Sequence, residues 1–152
     1  LGDVDQANAY YYSLNVAALK DKLDALDKKY RAGLSICQKH EIVTSHSAFG
    51  YLANEYGLRQ LSIAGLSPDS EPSSKRLVEI SKFAKENAIK YIFFESLVSP
   101  KFSDTIAKEV GAKTLVLNPI EGLSSEDVAA GKNYFTEMES NLKNLKIALQ
   151  CN

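Results

Sequence analysis

A histidine and several carboxylates stand where the predicted strands of this 152-residue chain end. His46 follows the first predicted strand, Glu95 follows the third, and Glu121 comes shortly after the fourth. Because open α/β sheets bind ligands beyond the carboxyl ends of their strands, we expect these side chains at one edge of the sheet. Imidazole nitrogen and carboxylate oxygen are ligands that zinc takes in proteins, usually four in total. The pattern therefore indicates a candidate metal site.

Each of these residues also has an ordinary structural explanation. A lone histidine at a strand end is often only hydrogen-bonded there, and Glu95 could cap a helix or face solvent. Glu121 lies in an Asn-Pro-Ile-Glu-Gly turn, where an exposed acidic residue is common. Asp69 and Glu71, in the turn-rich loop after the second strand, are most often solvated. His40 precedes the first strand and is expected at the surface of the opposite edge.

The number of donors limits what the chain could bind alone. Only one of its two histidines, His46, lies at the expected edge. A four-ligand site would then need three carboxylates, which matches zinc poorly. Cys37 and Cys151 are too far apart in sequence for a CxxC motif, so they are either inert buried thiols or a disulfide. Tight metal binding would therefore require ligands from elsewhere.

The elements that must position these residues alternate between strand and helix. A long helix is predicted over residues 5–35, with Asp3 and Gln6 as a capping box and an apolar stripe that includes Leu19 and Leu23. The predicted strands are residues 41–45, 60–64, 89–94 and 114–118. The predicted helices between and after them are residues 48–56, residues 75–87, a helix that Ser99 caps with Pro100 at its first position and Gly111 ends, and residues 125–149.

This alternation predicts the fold class. Three of the four strands are nearly continuous apolar runs, which is typical of parallel strands covered by helices on both faces. We therefore expect an α/β fold, a three-layer sandwich with a four-stranded parallel sheet, preceded by a long linking helix. Residues 1–36 form the linking helix in this interpretation, and residues 37–152 form the lobe that carries the metal site.

Composition and motifs argue against several functions. The net charge of −1 gives no electrostatic case for a nucleic acid partner. No apolar run approaches the roughly 18 residues of a membrane span. The sequence has no phosphate-binding loop, no dinucleotide-binding glycine motif and no nucleophile elbow.

Four segments carry a family resemblance that pattern alone would not supply. They are residues 44–52 (TSHSAFGYL), 65–73 (GLSPDSEPS), 91–95 (YIFFE) and 117–123 (LNPIEGL). These segments resemble the C-terminal lobe of zinc-binding ABC transporter substrate-binding proteins, the zinc-uptake and adhesin lipoprotein families. The first helix resembles the long helix that joins the two lobes of these proteins, and the resemblance covers essentially the whole chain.

The resemblance implies a function and a set of ligands. His46 matches the histidine ligand of the C-terminal lobe. Glu121 matches the acidic position of that lobe, which is a fourth ligand in some zinc-binding members and is left to water in others. The other two ligands, both histidines, belong to an N-terminal lobe that is absent here. The chain would be half of a carrier, and not an enzyme, that captures zinc and delivers it to an ABC importer permease. It would reside in the periplasm or outside the cell, anchored as a lipoprotein. Alone it is expected to hold an incomplete site and to bind zinc weakly, and more weakly in acid.

The resemblance also implies that Cys37 and Cys151 form a disulfide. Within the same family, a manganese or iron carrier is the main alternative, although a histidine at position 46 favours zinc. A flavodoxin-like or receiver-like regulatory domain would need an acidic cluster after the first strand, where this chain has Thr44, Ser45 and His46. An adhesion role is a further alternative that no residue tests.

Overall fold

Eleven helices and strands make up the computed structural model, which describes residues 1–67, 70–97 and 99–152. After a short 3₁₀ helix, Gln6–Asn8, the helices are α1 (Ala9–Leu34), α2 (Gly50–Glu55), α3 (Ser74–Glu86), α4 (Lys101–Val110), α5 (Ser125–Ala129) and α6 (Tyr134–Leu149). The strands are β1 (Glu41–Thr44), β2 (Arg59–Ser62), β3 (Tyr91–Phe94) and β4 (Lys113–Val116). The predicted alternation of strand and helix is confirmed, and each strand is one or two residues shorter than predicted.

The four strands form one parallel sheet in the order β2-β1-β3-β4. Val43 of β1 pairs with Ile92 of β3, and Ile92 is in register with Thr114 of β4. The chain passes from β1 to β2 on one side and then crosses back to β3 on the other. This reversal places the topological switch point between the carboxyl ends of β1 and β3, where open α/β sheets bind their ligands.

Separate apolar cores cover the two faces of the sheet. On one face, Ile42 and Phe93 pack in a cluster with buried residues of α1, α2 and α6. On the other face, Val43 and Ile92 pack with buried residues of α3 and α4. Neighbouring strand residues point to opposite faces, so an unbroken apolar strand is buried on both sides. The predicted three-layer α/β sandwich is confirmed.

The long first helix reaches beyond this core. Leu26, Tyr30 and Leu34 are buried, whereas Leu19 and Leu23, predicted to share their stripe, are exposed. The described sheet and α6 cover only the C-terminal part of α1, so the same apolar spacing is buried at one end and not at the other. In the described part of the chain, no helix is long and apolar enough to cross a membrane.

Two predicted helix starts are wrong. The capping box at Asp3 and Gln6 does not form, because α1 begins only after the 3₁₀ helix and its N-cap, Asn8, makes no side-chain capping bond. At α4 the N-cap is Pro100 rather than Ser99, although Ser99 Oγ still accepts a bond from the Lys101 amide at 3.4 Å.

The single predicted C-terminal helix is also wrong, since it is divided into α5 and α6. Gly131 adopts a φ of +76°, a left-handed conformation that glycine tolerates and that interrupts the helix. Asn133 then caps α6, and its side-chain oxygen accepts hydrogen bonds from the amides of Phe135 and Thr136. The apolar periodicity continues across the break, which is why the sequence suggested one helix.

A disulfide joins Cys37, just after α1, to Cys151, just after α6. Backbone hydrogen bonds flank it, from the Lys39 amide to the Leu149 carbonyl at 3.1 Å and from the Asn152 amide to the Ile36 carbonyl at 3.2 Å. The pairing that the resemblance implied is therefore present, and it fixes the ends of the two longest helices to one another.

Candidate metal site

The switch point of the sheet carries His46 and Glu95. His46 lies two residues after β1 and Glu95 directly after β3, and these two strands are neighbours in the sheet. Glu121 lies in the loop after β4, five residues beyond the end of that strand, and β4 is the neighbour of β3 on its other side. The predicted meeting of all three residues at one edge of the sheet therefore has a simple origin in the strand order.

The backbone of His46 is fixed by two polar side chains. Thr44, fully buried at the end of β1, donates from Oγ1 to the His46 carbonyl at 2.8 Å. Gln60 of β2 donates from Nε2 to the same carbonyl at 3.0 Å and to Thr44 Oγ1 at 2.7 Å. Because these bonds restrain the chain from two strands, the imidazole leaves the backbone in a defined direction.

One side of the imidazole contacts a buried carboxylate. His46 Nδ1 is in contact with Oε1 of Glu95, and Ser45 Oγ donates to the same oxygen. Glu95 is only 3% exposed, so this contact is shielded from water. The ordinary explanation offered by the sequence, a helix cap or a solvated acid, is wrong for Glu95.

The other side of the imidazole faces Glu121. His46 Nε2 lies 3.7 Å from Glu121 Oε1, which is too long for a hydrogen bond. Two ligands of one tetrahedral zinc ion lie about 3.4 Å apart, given metal–ligand distances of about 2.0–2.2 Å. The ring is 2% exposed and the Glu121 side chain 64% exposed, so the carboxylate lies on the solvent side of the imidazole.

The loop that carries Glu121 is held by a pair of asparagines. Asn141 of α6 accepts a bond from the Asn118 amide at 2.8 Å and donates to the Asn118 carbonyl at 2.7 Å. Asn118 Oδ1 in turn accepts from the Ile120 amide at 2.8 Å. Ile120 adopts a φ of +64°, which is rare for a β-branched residue and costs about 1–3 kcal/mol. This turn directs residue 121 back towards β1.

Asn118 is also linked to a group of charged side chains. Asn118 Nδ2 donates to Glu137 Oε2 at 3.2 Å, and Lys132 Nζ lies 3.7 Å from the other oxygen of Glu137. Lys132 also donates to Asp127 at 2.6 Å, and this bond, more than the bond from Ser124, holds the pKa of Asp127 below its usual value. The Asp127 carboxylate therefore remains ionised and paired with Lys132.

The remaining predicted candidates do not join this group. Glu71 and His40 are exposed, in keeping with their ordinary explanations, and Asp69 lies outside the described residues. Within residues 1–67, 70–97 and 99–152, no group of three His, Cys, Asp or Glu side chains is arranged to hold a metal ion. The site that these residues offer is a pair, His46 Nε2 with Glu121.

Comparisons with known proteins define the class. The family described as zinc-uptake complex component A, periplasmic, matches residues 1–148, and the chain belongs to this family. The zinc-binding lipoprotein AdcA of Streptococcus pneumoniae is 52% identical over 135 residues, and the match covers 89% of this chain. The high-affinity zinc uptake system protein ZnuA of Bacillus subtilis is 49% identical over 145 residues, or 95% of the chain.

Solved structures have the same fold. The Zn(II)-bound ZnuA-like domain of Streptococcus pneumoniae AdcA superimposes with a TM-score of 0.81 at 47% identity, covering 97% of this chain and 55% of that one. The laminin-binding protein Lbp of Streptococcus pyogenes gives a TM-score of 0.88 at 38% identity, covering 97% of this chain and 57% of that one. The chain spans 27% of the length of the pneumococcal AdcA and 46% of that of the Bacillus ZnuA. Family membership favours a solute-binding lobe over the flavodoxin-like or receiver-like alternative.

Proposed function

We propose that this chain is the C-terminal lobe of a zinc carrier for an ABC importer. His46 Nε2 and the Glu121 carboxylate provide two ligands for the ion. The other ligands come from a second, N-terminal lobe of the full-length protein, and residues 1–36, which are α1 and its flanks, form the link to that lobe. In this proposal the protein binds and releases its cargo unchanged, as a carrier and not as an enzyme.

The observation that carries the proposal is the distance of 3.7 Å between His46 Nε2 and Glu121 Oε1. The two groups meet at the carboxyl edge of the sheet after different strands, and neither has another described partner at these atoms that would explain the approach. A single imidazole and a single carboxylate leave a tetrahedral ion two ligands short. The greater length of the relatives supports a second source of ligands.

Zinc is favoured over manganese and iron by the donor set. Imidazole nitrogen suits zinc, whereas manganese prefers carboxylate, carbonyl and water oxygens. A manganese carrier would be better served by a second carboxylate at position 46. The relatives named for zinc support the same choice.

Uptake and release follow from how the two ligands are held. His46 is rigid and buried, so it supplies a fixed anchor, while the exposed Glu121 carboxylate closes over the ion from the solvent side. The exposed apolar part of α1 would be covered by the other lobe, and a helix of 26 residues resists wide hinge motion. We therefore expect small rearrangements when the ion enters or leaves.

The location follows from the same assignment. Zinc-binding lipoprotein and periplasmic zinc-uptake relatives support a place outside the cytoplasmic membrane, next to the permease. The Cys37–Cys151 disulfide agrees with this, since disulfides persist in oxidising compartments.

Zinc titration with a competing chelator tests the proposal. The variants are His46→Ala and Glu121→Ala, with the exposed His40→Ala as the matched control. We expect measurable but weak binding to the chain, a loss of about 100-fold or more in His46→Ala, and no change in His40→Ala. Loss of a partner that only supports a ligand costs about 10–100-fold, so loss of the ligand should cost at least as much. Nanomolar zinc binding that survives His46→Ala would refute the site.

A further inference from the structure

Glu95 is a buried acid that the proposed ligand set does not use. Its residue is 3% exposed, and its carboxylate lies between two chemical groups of the neighbouring strand end, the Ser45 hydroxyl and the His46 ring. Burying an acid without need is expensive, because a carboxylate loses its hydration. We therefore expect this buried carboxylate to have a role in the site.

The direction of the His46 ring defines that role. Its two nitrogens point away from one another, so Nδ1 faces Glu95 while Nε2 faces Glu121. An ion bound at Nε2 lies on the far side of the ring from Glu95. Glu95 is thus placed to act on the ligand and not on the ion.

Two polar groups approach a single oxygen of the Glu95 carboxylate. Ser45 Oγ and His46 Nδ1 both approach the single atom Oε1, and one carboxylate oxygen can accept from two donors. A neutral imidazole carries its proton on only one nitrogen. If Nδ1 holds that proton to donate to Glu95, Nε2 carries a free lone pair.

We propose that Glu95 is a positioning residue, which holds His46 in the tautomer with the proton on Nδ1 and so presents a bare Nε2 to the cargo ion. The inference rests on the proposed zinc site and adds a residue that determines the tautomer and the orientation of the histidine ligand. Ligand histidines in zinc proteins commonly donate their other N–H to a carboxylate, which raises the basicity of the ligand. Without Glu95, the imidazole can carry its proton on Nε2 or rotate away. Zinc binding must then displace that proton or return the ring to its orientation, and the affinity falls.

Nuclear magnetic resonance on the zinc-free chain tests the tautomer directly. Long-range nitrogen–proton spectra at pH 8 distinguish a proton on Nδ1 from one on Nε2, and His46→Ala assigns the signals, with His40 as the internal reference. We expect His46 in the wild-type chain to carry its proton on Nδ1. A proton on His46 Nε2 overturns the proposal, and this measurement needs no variant of Glu95.

Three variants distinguish a role of Glu95 in positioning the His46 ring from a role in folding alone. Glu95→Ala removes the acceptor and should shift the tautomer towards Nε2–H and weaken zinc binding about 10–100-fold. Glu95→Gln keeps an acceptor oxygen at the same place and should restore much of both properties. Ser45→Ala removes the second donor to Glu95 but leaves the ring contact, so its tautomer should be that of wild type. Circular dichroism of each zinc-free variant checks that it is folded.

The two proposals fail in different ways. If His46→Ala leaves zinc affinity unchanged, the metal site itself is wrong, whatever the tautomer. If His46→Ala abolishes binding while folded Glu95→Ala changes neither the tautomer nor the affinity, only the role of Glu95 is wrong. Loss of binding in Glu95→Ala as complete as in His46→Ala, with the tautomer unchanged, would make Glu95 a ligand and would also overturn the inference.

Discussion

Removing the Cys37–Cys151 disulfide should cost most of the stability that a domain of this size possesses. The bond closes a loop over a sequence separation of 114, so nearly the whole lobe lies between its ends. In the unfolded chain this link prevents the ends from separating. The chain-entropy model gives about 4.8 kcal/mol at 25 °C for a loop of this length. Domains are typically stable by about 5–15 kcal/mol, so the double variant Cys37→Ala/Cys151→Ala should be marginally stable.

Urea unfolding followed by far-ultraviolet circular dichroism measures this effect. The chain has no tryptophan, so the backbone signal is the better probe. We expect the unfolding free energy to fall by about 4–5 kcal/mol and the dependence on urea to steepen, because the unlinked chain exposes more surface when it unfolds. The wild type in the presence of a reductant is the control and should unfold with the double variant.

Two outcomes would refute the reasoning. A loss below about 1 kcal/mol would mean that the disulfide does not restrain the unfolded chain as a loop of this length must. An unchanged urea dependence together with a large loss would place the effect in the folded state instead. In that case the strand-like contact of residues 36–39 with residues 149–152, which the disulfide holds in place, would be the source of stability.

Two further substitutions test the core and a helix end. Burial raises the pKa of Tyr30 above its usual value near 10. Above pH 10 the phenol therefore loses its proton in the unfolded chain but keeps it in the folded one, and the unfolding free energy falls by about 1.4 kcal/mol per pH unit. Tyr30→Phe loses the 2.7 Å bond to the Met138 carbonyl and should have a lower unfolding free energy than the wild type. Because the variant has no phenol to ionise, the difference between the two unfolding free energies, measured with urea, should become smaller from pH 10 to 11. A constant difference contradicts this. Gly111→Ala should lower the unfolding free energy by about 1–2 kcal/mol, because Gly111 has a φ of +70° after α4. Gly50→Ala, where nothing lies near the added carbon, should not be destabilising, and equal losses in both variants would refute the strain argument.

The fold was accessible from the sequence because its signals are local. Apolar runs without alternation mark strands that are buried on both faces. A glycine at position 111 marks the end of a helix, because glycine tolerates the left-handed conformation that this position adopts. Once the strands are parallel, their carboxyl ends lie at one edge, so the placement of His46 and Glu121 at that edge needs no further information. The break between α5 and α6 was missed because apolar spacing continues through it, while Gly131 alone does not prove a turn.

The chemical environment of the site depended on the tertiary structure. Which strands are neighbours is not written in any one segment, and the order β2-β1-β3-β4 is what brings Glu95 against His46. The carboxylate directly after β3 was visible in the sequence, but only the adjacency of β1 and β3 makes it a buried partner instead of a solvated acid. The exposure of Leu19 and Leu23 was decided in the same way, by how far the sheet and α6 extend along α1. Local pattern thus determined the elements and the edge of the sheet, and long-range packing determined which side chains meet there.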